Sequence, residues 1–286
     1  MDIITEAAGQ GSRRPQGQPT NRIADINPND IENIEVLKGP SAAALYGSKA
    51  GNGVILITTK QGMAGRTTVD ISQQIGFNSI LQKIGTFRQP GSTYIDYEDE
   101  LYGEKGLMAE STVSIRGGNE RTQFYFGGLY QDEDSIVKRA GYSKYSGKVN
   151  INHTITDNIR IQATTSFVRS ESDRGITGND NVLNSFGFSL AFIPSNIDQR
   201  QRADGTYPVP VVASNPLQTR DLFINNEEVS RSISSLKLDW NLYRTQSQNL
   251  DLIVQTGVDF FSMDNNVISP PELFFEQARG IVNAGR

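Results

Sequence analysis

From Thr67 to Met263 the chain reads as seven alternating strands whose connections come in two lengths. The strands are expected at about Thr67–Phe77, Ser111–Arg116, Thr122–Gln131, Ser143–Thr156, Ile159–Ser170, Val229–Tyr243 and Leu250–Met263. Alternation is clearest in VNINHTIT, where Val149, Ile151, His153 and Ile155 oppose Asn150, Asn152, Thr154 and Thr156. Leu236, Leu238, Trp240 and Leu242 likewise oppose Lys237, Asp239, Asn241 and Tyr243. A period of two gives each strand one apolar and one polar face. After strands two, four and six the connections are short, at 117–121, 157–158 and about 244–249. After strands one, three and five they are longer, at roughly 78–110, 132–142 and 171–228. A soluble sandwich has no reason to sort loop length by parity. A membrane barrel does, because one set of turns faces the periplasm and the other the outside. No helix is expected in this part of the chain.

Composition agrees with that reading. There is no run of eighteen apolar residues, so no helix is expected to cross a membrane. A membrane-crossing strand needs only about 9–11 residues, half of them polar, and mean hydropathy is −0.42. The net charge of −5 and the lack of a basic run give no nucleic-acid footprint. With no cysteine and a single histidine, disulfides, thiolate zinc sites, cysteine nucleophiles and histidine-rich metal clusters are excluded. The start, MDIITEAAGQGSRRPQG, lacks the cationic stretch and apolar core of a secretory signal. Residues 1–26 are polar, and Gly, Gln and Pro mark a loop.

A different grammar occupies Asn29 to Gly62. Ile31, Ile34, Val36 and Leu37 make a short strand, and Gly39-Pro40 ends it. Pro40 suits a first helical turn, Ser41 to Tyr46 is helix material, and Gly47 stands at the C-cap position. Gly51-Asn52-Gly53 is a turn. Val54-Ile55-Leu56-Ile57-Thr58-Thr59 reads as a strand buried on both faces. This stretch resembles the end of the plug domain of TonB-dependent outer-membrane transporters, in their SusC/RagA branch. The residues that carry the resemblance are NPNDIE (27–32), EVLKG (35–39), AAALYG (42–47) and NGVILITTK (52–60). Its signature positions are Asp30, Glu32, Glu35, Lys38, Gly39, Pro40, Tyr46, Gly47 and Gly53.

The fold expected is mainly β: a partial transmembrane antiparallel β-barrel preceded by the C-terminal part of an α+β plug domain. Residues 1–64 form the end of the plug and 65–286 the first part of the barrel. Plugged transporters have about 22 strands, and a seven-stranded open sheet leaves two edges that hydrocarbon does not tolerate. The chain is therefore expected to hold only a piece of such a barrel. The resemblance implies import of large nutrients, oligosaccharides or peptides, across the outer membrane. It also implies a SusD-like surface lipoprotein as partner, outer-membrane lipid around the barrel, and energy from the TonB complex through a segment absent from this chain. It implies no cofactor. A siderophore or cobalamin receptor of the same superfamily and a soluble β-rich binding domain are the alternatives.

The residues offer little catalytic chemistry, and neither catalytic nor metal-binding residues are expected. His153 falls on the apolar face of strand four, where a wall residue is expected rather than a base. Gly47-Ser48-Lys49 has the wrong order for a phosphate loop. Asp96, Glu98, Asp99 and Glu100, and then Asp132, Glu133 and Asp134, lack EF-hand spacing and read as solvated charge in outer loops. Tyr125, Tyr130, Tyr142, Tyr145, Trp240, Tyr243, Phe260 and Phe261 gather near strand ends, as aromatic girdles or as ordinary β-formers. By resemblance, plug charges pair with wall charges and latch the plug. Glu35 and Lys38, with Arg116 or Arg160 on the wall, are the candidates, and plain solvated strand charge is the alternative. Loops 78–110 and 171–228 are the expected contacts for lipoprotein or substrate.

Overall fold

One long antiparallel sheet runs through the chain in sequence order. The computed structural model describes residues 25–38, 44, 46–47, 50–83, 91, 94–177, 185–210 and 214–277. Strands β1 (Ile31–Leu37) and β2 (Val54–Thr59) pair with each other. The seven that follow are β3 (Gly65–Asn78), β4 (Gly106–Gly118), β5 (Thr122–Asp134), β6 (Gly141–Thr156), β7 (Ile159–Asp173), β8 (Ile224–Arg244) and β9 (Asn249–Ile268). Each of the seven pairs antiparallel with its chain neighbour, and β3 and β9 are the open edges.

Register sorts the side chains into two opposite environments. Val149 pairs with Phe126 and Thr165, and Ile151 with Phe124 and Ala163. Leu236, Leu238 and Trp240 continue that face across β8. It is apolar and open: Ile71 is 78% exposed and Phe167 50%. The other face carries Lys144, Lys148, Asn150 and Ser170, all buried. Water-soluble sheets bury the apolar face and expose the polar one. This sheet does the reverse, as a wall between lipid and a wet lumen must.

The seven strands match the expected seven, yet every one is longer. Their 13 to 21 residues exceed the 9–11 that a bilayer requires. The sequence reading ended each strand where apolar alternation stopped. The ladder continues past that point through Asn225, Asn226, Glu227 and Glu228 of β8 paired with Asp264 to Val267 of β9. Beyond the lipid both faces are wet, so pairing persists without a hydrophobic mark. The connections are correspondingly 119–121, 157–158 and 245–248 at one end, and 79–105, 135–140 and 174–223 at the other.

The absence of helices expected after Gly62 does not hold. Among the described residues four short ones lie in or after the outer connections: α1 (Tyr97–Tyr102), α2 (Phe186–Phe192), α3 (Pro216–Leu222) and α4 (Phe274–Gln277). Asp96 caps α1 by accepting from Asp99 N at 3.0 Å. Asn215 caps α3 through Leu217 N and Gln218 N, with Pro216 in the first turn. Helices this short are not stable alone and carry no readable period. Packing holds them: Tyr97, Leu101, Val137, Phe186, Leu190, Ile193, Tyr207 and Leu217 form one apolar cluster. At about 1.5–3 kcal/mol per buried large apolar side chain, that cluster offsets much of the ordering cost of the loops. Burial also pushes the Tyr97 hydroxyl up to about 12. The acidic run at 96–100 is thus a helix start, and Asp96 and Asp99 hold Lys83 Nζ at 2.7 and 2.9 Å.

The plug segment is less covered than expected. The run of β2 is expected to be buried on both faces, but Ile55 is 53% exposed. Its only strand partner among the described residues is β1, whose Ile34 and Val36 are open as well. The strand has the composition of an interior, and the described residues do not supply the layers that cover one. Ala44 and Tyr46 are helical, while Ser41–Ala43 and Leu45 of the expected helix lie outside the described residues.

Candidate functional site

The site that the fold builds is the contact between the plug segment and the inner face of β5 and β6. Asn27-Pro28-Asn29-Asp30 makes a 3-10 turn in which Asn27 Oδ1 accepts from Asn29 N at 2.9 Å. Pro28 sits where no N–H is needed. The turn presents Asp30, 6% exposed, to the wall. Tyr125 Oη donates to Asp30 Oδ1 at 2.6 Å, and Tyr125 is itself 1% exposed.

Space for this contact comes from Gly127, two residues along the same face. A Cβ there would stand 2.4 Å from Asp30 Oδ1 and 2.9 Å from Tyr125 Oη. Lys148 pairs with Gly127 across the strands and lies 5.9 Å from the Tyr125 ring centroid, in cation–π range. Its Nζ is buried without a hydrogen-bond partner among the described residues, so its charge meets Asp30 through space. One turn of pleat away, Lys144 Nζ donates to Ile26 O at 3.3 Å. Asn29 Nδ2 donates to Glu110 Oε1 at 3.1 Å on β4.

A second anchor closes the plug segment. Gly62 N donates to Asn150 Oδ1 at 3.4 Å, and Asn150 Nδ2 donates onward to Thr164 Oγ1 at 2.8 Å. A Cβ on Gly62 would lie 2.3 Å from Phe124 N, against backbone that cannot move aside. The chain from Asp30 to Gly62 therefore leaves the wall and returns to it at two fixed points.

Of the expected latch residues, Arg116 comes to this contact, while Glu35 and Lys38 lie on or just past β1. Glu32 and Glu35 are exposed on β1, and Glu35 accepts from Asn33 Nδ2 at 2.9 Å. Lys38 is exposed just past β1. Arg116 lies on the inner face opposite Tyr125, and Arg160 opposite Asp239. Among the described residues no ion pair joins Glu35 to Arg116 or Arg160. Charges on β1 point into open space, whereas the buried turn just before it meets the wall. Gly39 and Pro40 lie outside the described residues, as do Ser48 and Lys49. Tyr46 is half-buried and Gly47 takes φ +83°. Gly53 takes φ +102° with a Cβ position 2.9 Å from Leu37 O, so both its backbone and its surroundings require glycine.

Sequence reasoning missed Tyr125, Gly127, Lys144, Lys148 and Asn150. Tyr125 is expected as a girdle aromatic or an ordinary β-former, but its neighbours Phe124 and Phe126 take the lipid face and turn it inward. Tyr142 and Phe261 also fall on the inner face, opposite Glu133 and Arg231. Tyr130 and Tyr145 do stand outside, their rings 5.0 Å apart. His153 is outside too, bonded through Nδ1 to Thr122 Oγ1 at 2.8 Å.

Comparison with known proteins places this geometry. Residues 9–54 match the family model of the TonB-dependent receptor plug domain. The TonB-dependent receptor P39 of Formosa agariphila is 34% identical over 178 residues, which cover 52% of this chain and 17% of that protein. The TonB-dependent receptor SusC of Bacteroides thetaiotaomicron is 28% identical over 196 residues, 61% of this chain and 19% of that one. The RagAB peptide importer in its closed-closed state superposes with a TM-score of 0.71 over 90% of this chain and 35% of that one, at 18% identity. That likeness is one of fold. The chain thus spans under a fifth of the length of these two curated relatives and about a third of the solved chain.

Proposed function

We propose, from the premise that this chain is a segment of a SusC/RagA-like TonB-dependent receptor, that it forms the end of the plug and the first wall strands of an outer-membrane nutrient importer. Residues 1–64 belong to the plug and 65–286 to the wall in this reading. The observation that carries it is the inside-out sheet, with a buried plug turn bonded to its polar face at Asp30–Tyr125. A soluble binding domain has no use for a face of open Ile, Val and Phe backed by buried Lys and Asn.

The importer takes up oligosaccharides or peptides and works with a SusD-like lipoprotein over its outer mouth. TonB, driven from the inner membrane, acts on the plug. The chain's own residues supply the part that must yield. Two anchors hold the segment to the wall: at Asp30 a charge-assisted hydrogen bond, with the Lys144–Ile26 and Asn29–Glu110 bonds beside it, and at Gly62 one weaker amide bond. A bond of the first kind contributes about 1.5–3 kcal/mol. That is enough to order the plug at rest and small enough for a pulled segment to break.

The test uses the full receptor that carries this segment, in its host. It should fractionate with the outer membrane, show heat-modifiable mobility, and co-purify with a surface lipoprotein. Uptake of a labelled oligosaccharide or peptide should stop when TonB is deleted. Recovery in the soluble fraction, or uptake indifferent to TonB, would sink the reading.

A further inference from the structure

Where β5 to β8 reach their outer ends, beneath the helical cap, lies a cavity of about 270 Å³. Lys138, Arg139, Arg174 and Arg220 line it, against Asp173 as the one acidic residue on its described wall. Three of the four cations have partners. Lys138 Nζ lies 3.4 Å from Glu104 Oε1. Arg174 Nη2 lies 3.3 Å from Glu227 Oε2 and donates to Asn265 Oδ1 at 2.9 Å. Arg220 grips Asp221 with two nitrogens and donates to Glu100 O at 2.6 Å. Asp173 accepts from Asn226 Nδ2 at 2.9 Å.

Arg139 is different. It is exposed and makes no hydrogen bond or ion pair among the described residues, and its charge reaches the Tyr207 hydroxyl only through space. Its backbone is held at φ +64°, a region that residues other than Gly, Asn and Asp seldom occupy. Arg139 is the third residue of the turn that Ala140 N closes on Val137 O at 3.1 Å, which sets that conformation and aims the side chain from the β5–β6 connection. Two polar atoms of the lining residues are left over as well: Arg174 Nε and Thr219 Oγ1 are buried without partners among the described residues, and Thr219 is 1% exposed. Buried donors left unmade are rare and costly. One uncommitted guanidinium and two unmatched donors share a chemistry, since an oxyanion would satisfy all three.

We propose that this cavity is a subsite for a carboxylate on the ligand, gripped by Arg139 with Arg174 and Thr219 beside it. Arginine suits this role because its planar fork matches the two carboxylate oxygens. The proposal rests on the importer reading only in placing the cavity toward the outside. The carboxylate could belong to a hexuronate sugar or to a peptide C-terminus, and the geometry does not need to distinguish them.

The full receptor in detergent is titrated calorimetrically with two matched pairs. One is trigalacturonate against its methyl ester; the other is trialanine against its C-terminal amide. In at least one pair the acid should bind about tenfold tighter than its neutral twin. Arg139→Asn, which tolerates the left-handed backbone, should erase that preference without lowering the thermal transition. Arg139→Lys, which keeps the charge, should retain part of it. The responding pair names the source. Equal binding within both pairs, no binding by either acid, or a preference that survives Arg139→Asn overturns the proposal. The titration needs neither TonB nor a lipoprotein, so it stands or falls separately from import.

Discussion

Gly127 and Gly147 lie on paired strands one register step apart, and their surroundings have nothing in common. A Cβ on Gly127 would run into Asp30 and Tyr125, whereas nothing lies within 4 Å of one on Gly147. The same contrast holds between Lys148, buried against the plug, and Val149, turned to the lipid side. One backbone thus faces two solvents with opposite demands. Inside, polar groups need partners and space is scarce; outside, only apolar surface is tolerated and space is free. A residue's role here follows from its parity more than from its type.

That contrast is broken most forcefully by a charge on the wrong face. Ile151→Arg puts a guanidinium among lipid-facing neighbours Phe124 and Ala163. It should cost about 2–4 kcal/mol of barrel stability if it lies near the bilayer midplane. Asn152→Arg, the next residue but on the lumen side, should cost less than about 1 kcal/mol. Urea unfolding of the full receptor in lipid vesicles measures both. Equal costs would mean that the faces are misassigned.

Volume gives the second contrast. Gly127→Ala pushes on the Asp30 carboxylate and should cost about 1–3 kcal/mol, with faster hydrogen exchange at residues 27–30. Gly147→Ala should leave both readouts unchanged. If the two variants behave alike, the plug turn does not sit on β5 as described.

The sequence made the wall legible and the plug contact nearly illegible, for one physical reason. Alternation such as Val149 to Thr156 reports which face a residue takes, because lipid removes every polar side chain from one side. In TQFYFGGLYQ both parities carry aromatics, so Tyr125 could not be assigned by pattern. Asp30 was picked out as a signature position, but its partner is 95 residues away, a distance no local pattern spans. Lys144 and Lys148 share the parity of Asn150 and Asn152, but nothing in the pattern marks them out; that they meet the plug depends on where the turn docks. The cap helices escaped because four to seven residues hold no period, and their N-caps at Asp96 and Asn215 look like ordinary loop residues.

The finest contrast separates the buried turn from the exposed strand that follows it. Tyr125→Phe keeps the ring, its packing and the Lys148 contact, and removes only the hydroxyl that donates to Asp30. A buried carboxylate then lacks a donor, which should loosen the turn by about 1–2 kcal/mol. At 1.4 kcal/mol per factor of ten, amide exchange at 27–30 should quicken by roughly five- to thirty-fold. Glu35→Gln removes a full charge from β1 but leaves it in water beside Asn33, so exchange there and in the turn should not change. The two variants differ in burial rather than in the size of the chemical change: a neutral hydroxyl is lost in one and a charge in the other. Should Glu35→Gln loosen the turn as much as Tyr125→Phe, the charges of β1 hold the plug and the Asp30 contact is incidental.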